Sequence, residues 1–359
     1  MSPTTPISVA ELAAGAADAD LLDGDARAHR PLLVVDLDRP PAPTAADLER
    51  AVRLARAGDR LLVGRTTRTV FDSALLDALD LTLVHAPRDR LCATDSAGSA
   101  ATVAVVDPAA EAEFLRGQAE EQPQAALVLR QLLRIQEKLP VSQALDAESL
   151  AYSTLLGGSG FAHWLAARGP RPAPPPASGD PVLVRREGAV LRITLDRPER
   201  RNAHGARLRD ALAAAVEIAL WDDSVREVVL DGNGPSFSSG GDLDEFGAAT
   251  DLAGAHLIRT RAGAATRLHA VGGRLTARLH GHCVGAGIEL PAFASRVVAA
   301  PDTRIRLPEL SMGLIPGAGG TVSLPRRIGR RRTLFLVLDG RAIDAERALA
   351  WGLVDHIEE

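Results

Sequence analysis

A proline-rich segment near the middle of the chain sets the main limit on its architecture. Residues 169–180, GPRPAPPPASGD, contain five prolines. Proline fixes φ and has no backbone N–H, so this run neither continues a helix nor enters a central strand; it is typical of a semi-rigid spacer. A chain of 359 residues is long enough for two ordinary domains. We therefore expect two parts, residues 1–168 and 181–359, joined by this linker.

The composition is that of a folded globular protein without a basic surface. Hydrophobic residues make up 46% of the chain, and the net charge of -5 offers no surplus of positive charge for nucleic acid. Cys92 and Cys283 lie far apart without metal-binding spacing, which argues against a disulfide framework or a metal site. The acidic N-terminus lacks a leader pattern, and no stretch approaches the ~20 apolar residues of a membrane span. We expect a cytoplasmic protein with no membrane contact.

Strand-like and helical segments alternate after the linker, which predicts an α/β fold. Apolar runs suited to strands occur at Val182 to Arg186, Val190 to Asp196 and Glu227 to Gly232, and a helical segment spans Ala206 to Trp221.

The first part of the chain has a similar rhythm and then becomes helical. Strands are predicted at residues 32–38, 61–64, 81–86 and 102–107, with a helix over Ala46 to Gly58. From Ala110 to Arg168 the apolar residues recur three and four apart, as in amphipathic helices. No chemical motif accompanies the strands of this first part.

Three glycine-containing motifs in the second part resemble those of the enoyl-CoA hydratase/isomerase (crotonase) family in order and spacing. They are PSFSSGGDLDEF (235–246), HGHCVGAGIEL (280–290) and LPELSMGLIPGAGGT (307–321), supported by segments 196–204 and 338–357. The resemblance covers about half of the chain, near residues 181–359. It implies a crotonase-like spiral of ββα units, an acyl-CoA substrate, and a homotrimer or homohexamer.

The resemblance also suggests where the closing helices of the fold originate. A family member normally continues beyond the segment that resembles residues 338–357 into helices that close the acyl pocket, whereas this chain ends at Glu359. Residues 124–172 resemble that missing helical region. Our hypothesis is that residues 1–168 form a degenerate crotonase-like domain whose helices at 110–168 complete the catalytic domain, in the same or a neighbouring subunit. The alternative is an unrelated helical accessory domain.

Two glycine-rich turns are the candidates for stabilising a thioester oxyanion. Glycine lets the backbone approach a ligand closely, and two N–H groups aimed at the developing negative charge stabilise it strongly in a dry site. By resemblance, these groups belong to Gly241 and Ala286.

Two glutamates are the candidates for acid–base chemistry. Addition of water to a conjugated double bond needs one group to deprotonate water and another to protonate Cα, and two carboxyls can divide that work. By resemblance, Glu289 orients and deprotonates water, and Glu309 exchanges a proton with Cα. Many isomerases of the family keep one of these acids, so both together favour hydration or dehydration. Pro291, two residues after Glu289, argues against this assignment, because a proline inside a helix would kink it and displace Glu289.

Coenzyme A should be held mainly by backbone and shape, as part of the substrate and with no other cofactor. We expect Asp242 to support its own turn through local side-chain to backbone bonding. Two arginine groups, 197 with 200–201 and 326–327 with 330–332, are candidates for phosphate contacts or for a solvated face. The resemblance implies substrate contacts at Arg201, Ala203, Ser239, Gly241, Asp242, Leu243, Gly285, Pro308 and Gly317.

Several reactive residue types near the motifs have simpler interpretations. Cys283 is expected to be a small packed side chain, and His280 and His282 to stabilise turns rather than bind metal. Ser238 and Ser239 lack the G-x-S-x-G elbow of a serine nucleophile.

The sequence thus favours an enoyl-CoA hydratase or dehydratase. An enoyl-CoA isomerase and a specialised biosynthetic crotonase are alternatives, and so is a non-catalytic assembly subunit on the same scaffold.

Overall fold

A computed structural model describes residues 5–25, 27–68, 72–97, 101–169 and 179–358. It contains two compact units, Met1–Gln131 with Gly329–Asp339, and Leu132–Ile328 with Gly340–Glu359. Most of the predicted linker, residues 170–178, lies outside the described residues. The units divide before the linker because the helices at 141–168 make their contacts with residues that follow it.

The first unit is built on a parallel sheet of five strands arranged in chain order. Parallel strands covered on both faces have nearly continuous apolar runs, and the central strands here are almost fully buried. All four strands predicted in this region are present. The strands are β1 Ile7–Ser8, β2 Leu32–Asp36, β3 Leu61–Thr66, β4 Leu81–His85 and β5 Thr102–Val105.

Helices follow the strands of this sheet. The helix predicted near residues 46–58 begins at a capping box, in which Thr44 accepts from the Asp47 amide and Asp47 accepts from the Thr44 amide. The helices are α1 Val9–Ala13, α2 Ala45–Ala57, α3 Ser73–Ala78, α4 Leu91–Ala97, α5 Pro108–Glu121 and α6 Pro123–Gln136, the last of which ends in the second unit.

A buried ion pair fixes α6 to the sheet of the first unit. Nε of Arg130 lies 3.0 Å from Oδ2 of Asp80, and both side chains are almost fully buried. The same Asp80 oxygen accepts from the Leu62 amide at 3.0 Å. Nη1 of Arg330 lies 4.0 Å from the other Asp80 oxygen, so the buried carboxylate meets two arginines.

The second unit contains a six-stranded sheet and a small three-stranded sheet. In the larger sheet the order is β14-β11-β9-β8-β7-β6, and only β6 and β7 pair antiparallel. The smaller sheet has the order β10-β12-β13. The strands are β6 Val182–Glu187, β7 Val190–Leu195, β8 Glu227–Gly232, β9 Leu275–Leu279, β10 His282–Val284, β11 Arg296–Ala299, β12 Arg304–Arg306, β13 Ile343–Asp344 and β14 His356–Ile357.

The helices of the second unit come from both sides of the linker. They are α7 Val141–Leu156, α8 Ser159–Arg168, α9 Ala206–Trp221, α10 Leu252–Leu257, α11 Ala265–Val271, α12 Ala286–Glu289, α13 Gly320–Asp339 and α14 Ala345–Trp351. The helix α13 is interrupted at Gly329, where φ is 80°, and its second part belongs to the first unit. Strands and helices match the sequence prediction closely, and the α/β class is confirmed. Within the described residues, no helix combines the length and apolar character needed to cross a bilayer.

Candidate active site

The small sheet brings the two motif glutamates together. Strands β10 and β12 pair in parallel, with Val284 opposite Arg306. Parallel strands end on the same edge of a sheet, so the segments that follow them lie side by side. One of these segments is the turn into α12, which carries Glu289, and the other is the 3₁₀ turn that begins at Glu309.

Gly285 forms the junction between these two segments. Its amide donates to the Arg306 carbonyl at 2.9 Å, and its φ of 49° and ψ of -120° suit glycine. A methyl group at Gly285 would lie 2.5 Å from Oε1 of Glu309 and 3.7 Å from Oε1 of Glu289. Both carboxyls therefore converge on this glycine.

Glu289 is held by the loop before α13. The residue is 2% exposed, and its Oε2 accepts from the amides of Ala318 at 2.7 Å and Gly320 at 2.9 Å. Burial raises the pKa of Glu289 to about 7, although the two hydrogen bonds oppose the shift. Pro291 does not displace it, because α12 ends at Glu289 and Pro291 begins a separate 3₁₀ turn.

Glu309 has a different environment. Its Oε2 is buried and has no hydrogen-bond partner among the described residues. Burial, and then the negative charge of Glu289, raise the pKa of Glu309 well above its ordinary value. The two carboxyls thus differ in hydrogen bonding although they share one site.

The two glycine-rich turns pack against each other beside these carboxyls. Gly240 has φ of 86°, and a methyl group on it would lie 2.7 Å from the Val284 carbonyl oxygen. His204 forms a parallel bridge opposite Gly241, using the carbonyl of Gly240 and the amide of Asp242. The Gly241 amide therefore faces away from His204.

The amides of Gly241 and Ala286 have no hydrogen-bond partner in the part of the chain that the structure describes. Both residues line a cavity of about 220 Å³ that Glu289 and Glu309 also line. Two unpaired donors and two carboxyls thus share one cavity.

Sequence reasoning missed a third buried glutamate in this cavity. Glu148 on α7 is 2% exposed. Its Oε1 accepts from the Gly319 amide at 2.7 Å, and its Oε2 accepts from the Thr321 amide at 2.9 Å and hydroxyl at 2.7 Å. Burial and the charge of Glu289 raise the pKa of Glu148 to about 8.

Glu148 and Glu289 share the 318–321 loop in alternation, since Glu289 takes the amides of 318 and 320 and Glu148 those of 319 and 321. One sequence signal for Glu148 existed. It occupies the buried face of α7 with Ala144, Leu145 and Ser149, where an apolar residue is expected.

A second cavity, of about 330 Å³, gathers the six residues predicted to contact the adenine and pantetheine groups. Gly241 lines both cavities, so the two adjoin. Asp242 accepts from the Asp244 amide at 3.2 Å, which confirms the expected local bonding, and it also accepts from Arg200 at 2.6 Å. The six residues are Arg201, Ala203, Ser239, Gly241, Asp242 and Leu243.

The second arginine group is not part of this cavity. Arg326 donates to the carbonyls of Val322 and Leu139, and Arg327 to Asp355 and to backbone carbonyls. Residues 330–332 belong to the first unit. The guanidinium groups of Arg326 and Arg327 thus bind protein groups, and a contact of this arginine group with CoA phosphates stays a prediction.

The remaining predicted substrate contacts differ in position. Gly317 lines the 220 Å³ cavity, which we call the acidic cavity because Glu148, Glu289 and Glu309 line it, and a methyl group on Gly317 would overlap the Tyr152 ring. Pro308 precedes Glu309 and accepts from Ser311 at the start of the 3₁₀ turn.

Three of the neighbouring reactive side chains are buried or bound to backbone groups. Cys283 is buried, and burial raises the pKa of its thiol. His280 bonds the Gly234 carbonyl at 2.9 Å, and the Ser238 hydroxyl donates to the Asn202 carbonyl at 2.8 Å. Across the described residues, no group of three metal-ligating side chains is present.

Known proteins share this sequence pattern. Residues 185–358 match the family model "Enoyl-CoA hydratase/isomerase". The 2,3-dehydroadipyl-CoA hydratase of Escherichia coli K12 is 40% identical over 176 residues, which are 49% of this chain and 68% of that protein. A probable enoyl-CoA hydratase of Bacillus subtilis is 32% identical, over 46% of this chain and 64% of that protein.

A crystal structure of enoyl-CoA hydratase from Thermoplasma volcanium is 34% identical, covers 50% of this chain and 72% of that chain, and has a TM-score of 0.46. The matched region spans about two thirds of the length of the curated relatives. The chain belongs to the enoyl-CoA hydratase/isomerase family, and the predicted family resemblance is confirmed.

Proposed function

We propose that the protein is an enoyl-CoA hydratase, or a dehydratase in the reverse direction. One observation carries the proposal: the carboxyls of Glu289 and Glu309 converge on Gly285, in the cavity lined by the unpaired amides of Gly241 and Ala286. An acid, a base and a pair of oxyanion donors are the groups that this reaction needs.

The two amides would stabilise the enolate-like thioester. Attack of water on Cβ moves the π electrons of the double bond toward the thioester oxygen, which becomes negative. The N–H groups of Gly241 and Ala286 are fixed by the two packed turns, so they need no reorganisation as this charge develops.

The two glutamates would divide the proton transfers. Glu289, whose pKa is raised to about 7, is available near neutral pH as the base that takes a proton from water as its oxygen bonds Cβ. Glu309, whose pKa burial and the charge of Glu289 raise well above its ordinary value, would be the acid that delivers a proton to Cα. Dehydration reverses both transfers.

Glu148 would act as a positioning residue. It binds the loop residues 319 and 321, and the intervening amides hold Glu289. A shift of this loop would move the base relative to the substrate, and a displacement of about 1 Å can cost on the order of a hundredfold in rate.

The two adjoining cavities suggest how an acyl-CoA would lie. The 330 Å³ cavity would hold the CoA part, the 220 Å³ cavity the acyl part, and Gly241, which lines both, would meet the thioester between them. No metal or redox cofactor enters this mechanism.

Loss of conjugated enoyl absorbance from crotonyl-CoA and longer or aryl enoyl-CoAs tests the proposal. We expect Glu289→Gln and Glu309→Gln each to lower kcat by about 10² to 10⁴-fold. The control Glu346→Gln, at an exposed position on α14, should leave kcat unchanged. Full activity in both site variants would disprove the acid–base roles.

The same assay separates the rival functions. An isomerase should move the double bond of a 3-enoyl-CoA and keep more activity than a hydratase after loss of one carboxyl. An assembly subunit or a specialised biosynthetic enzyme should bind CoA thioesters yet hydrate none of the panel. The pair of buried carboxyls with raised pKa favours the hydratase.

Residues 1–168 would contain a degenerate crotonase-like domain whose helices at 110–168 complete the catalytic domain, in the same or a neighbouring subunit. Its five strands stand in chain order, like those of the six-stranded sheet, and the acidic cavity has Glu148 of α7 in its wall. A fragment that begins near Asp180 should be insoluble or inactive, and a soluble, fully active fragment would contradict this. Assembly as a homotrimer or homohexamer and a cytoplasmic location stay predictions; light scattering tests the former.

A further inference from the structure

A cavity-lining arginine without a carboxylate partner stands out in the second unit. Arg259 lies in the π-helical turn Ile258–Ala262, a rare conformation that is frequent at functional sites. Its side chain lines the acidic cavity and also an adjoining cavity of about 350 Å³. The walls of the 350 Å³ cavity combine apolar side chains with the carboxyls of Asp242 and Glu245; the apolar ones include Leu156, Phe161, Leu165, Phe246 and Leu252.

Neutral groups of α7 hold this guanidinium in place. Nε donates to the Ser149 hydroxyl at 3.0 Å, and Nη2 donates to the Ser149 carbonyl at 3.4 Å and to the Ser153 hydroxyl. The guanidinium carbon lies 4.8 Å from the centre of the Tyr152 ring, a cation–π contact. Nη1 donates to no described residue. The group is thus oriented, with one nitrogen left for a ligand.

Other basic groups around Arg259 are neutral or paired. Arg209 in the cavity wall pairs with Asp210 at 2.8 Å, and burial lowers the pKa of His204 to about 4, so that it is uncharged. In the described part of the chain, no carboxylate lies within ion-pair distance of Arg259. The Glu148 carboxyl acts on Arg259 only from beyond ion-pair distance, so this partly buried guanidinium has no carboxylate of the described residues in direct contact.

We propose that Arg259 binds a carboxylate at the far end of the acyl chain, so that the substrates are CoA thioesters of dicarboxylic acids. This inference rests on the proposed function. Arginine presents fixed donors that suit a carboxylate. Leu145, Phe246 and Leu290 line the 220 Å³ cavity together with Arg259 and suit the methylene groups between the thioester and that carboxylate.

Calorimetric binding of saturated thioesters tests the inference without turnover. The probes are adipoyl-CoA against hexanoyl-CoA, and suberoyl-CoA against octanoyl-CoA. Wild-type protein should bind at least one dicarboxylic thioester about ten- to a hundredfold more tightly than its neutral partner. Arg259→Met should abolish that preference and Arg259→Lys should retain part of it.

The matched control is Arg261→Met. Arg261 lies in the same turn, is exposed and pairs with Asp146, so its loss should leave the preference intact. Equal affinities in the wild type, or a preference that survives in Arg259→Met, would overturn the inference. An Arg259 that only supports α7 would lower both affinities equally and leave their ratio unchanged, which also overturns it.

Failure of the proposed function is recognised separately. A clear binding preference without hydration of the unsaturated analogues would leave the carboxylate site standing and remove the hydratase. Hydration of neutral and dicarboxylic enoyl-CoAs with equal kcat/KM, together with equal affinities, would leave the hydratase standing and remove the carboxylate site.

Discussion

The substitution Glu148→Gln tests whether α7 controls the electrostatics of the site. Glutamine has one acceptor oxygen and one NH₂ donor group. If its oxygen accepts from Thr321, its NH₂ faces the Gly319 amide, which is also a donor. One buried donor is then unsatisfied, which costs about 1–3 kcal/mol. At pH 5 the variant should be less stable than the wild type by this amount.

The stability difference between Glu148→Gln and the wild type should change sign with pH. The raised pKa of Glu148, about 8 against 4.5 for the ordinary carboxyl, means that the folded state binds more protons than the unfolded state between these values. The stability from this group is fully present below the unfolded pKa and is lost as pH rises through the folded pKa. Each pH unit in this window costs the wild type about 1.4 kcal/mol, whereas glutamine does not titrate. The destabilisation by Glu148→Gln should therefore shrink and reverse by pH 8.

Urea unfolding followed by tryptophan fluorescence measures this effect. The three tryptophans, at 164, 221 and 351, all lie in the second unit. The comparison is made at each pH unit from 5 to 9, with the exposed Glu346→Gln as control. A free-energy difference between Glu148→Gln and wild type that stays constant across this range would refute the reasoning.

Three further outcomes are expected. The hydration kcat/KM should rise as pH approaches about 7, where the base ionises, and fall at higher pH as the acid loses its proton; a flat profile from about pH 5 to 9 contradicts this. Gly285→Ala should lower activity about a hundredfold, because the added methyl would meet a carboxyl oxygen of Glu309. The control Gly273→Ala has open space around it and should be active. Equal activities of the two variants refute the packing argument. Arg130→Met should destabilise the first unit by roughly 3 kcal/mol, because it removes the nearer of two arginines from buried Asp80 and leaves Arg330 at 4.0 Å. Hydrogen exchange in β3 and β4 measures this, and protection equal to that of the exposed control Arg53→Met contradicts it.

Local chemistry explains how much of the site the sequence predicts. The turns at 238–242 and 284–287 and the glutamates that follow β10 and β12 are short motifs, so their residues identify them without a structure. The strands and α9 are likewise encoded by apolar periodicity within each segment. These features need no information about distant parts of the chain.

Long-range contacts account for what was missed. Glu148 binds residues 171 and 173 positions away, and nothing near α7 in the sequence identifies that loop as its partner. Arg326 was a candidate for a phosphate contact or a solvated face because arginines cluster around it, yet its guanidinium reaches the Leu139 carbonyl, 187 positions away. The sequence shows that arginines cluster, but only the fold determines which groups those arginines contact.

The contact between α7 and the 318–321 loop has a consequence for biosynthesis. A ribosome makes α7 first and reaches Thr321 173 residues later, which at ordinary synthesis rates takes on the order of ten to thirty seconds. During that interval the buried face of α7, with Leu145 and Glu148, has no partner from the loop. The helix α7 is therefore made well before its partner loop, and the catalytic cavity acquires its wall only after most of the chain has emerged. Its assembly is therefore a late event, sensitive to translation speed and to chaperones that shield apolar helices.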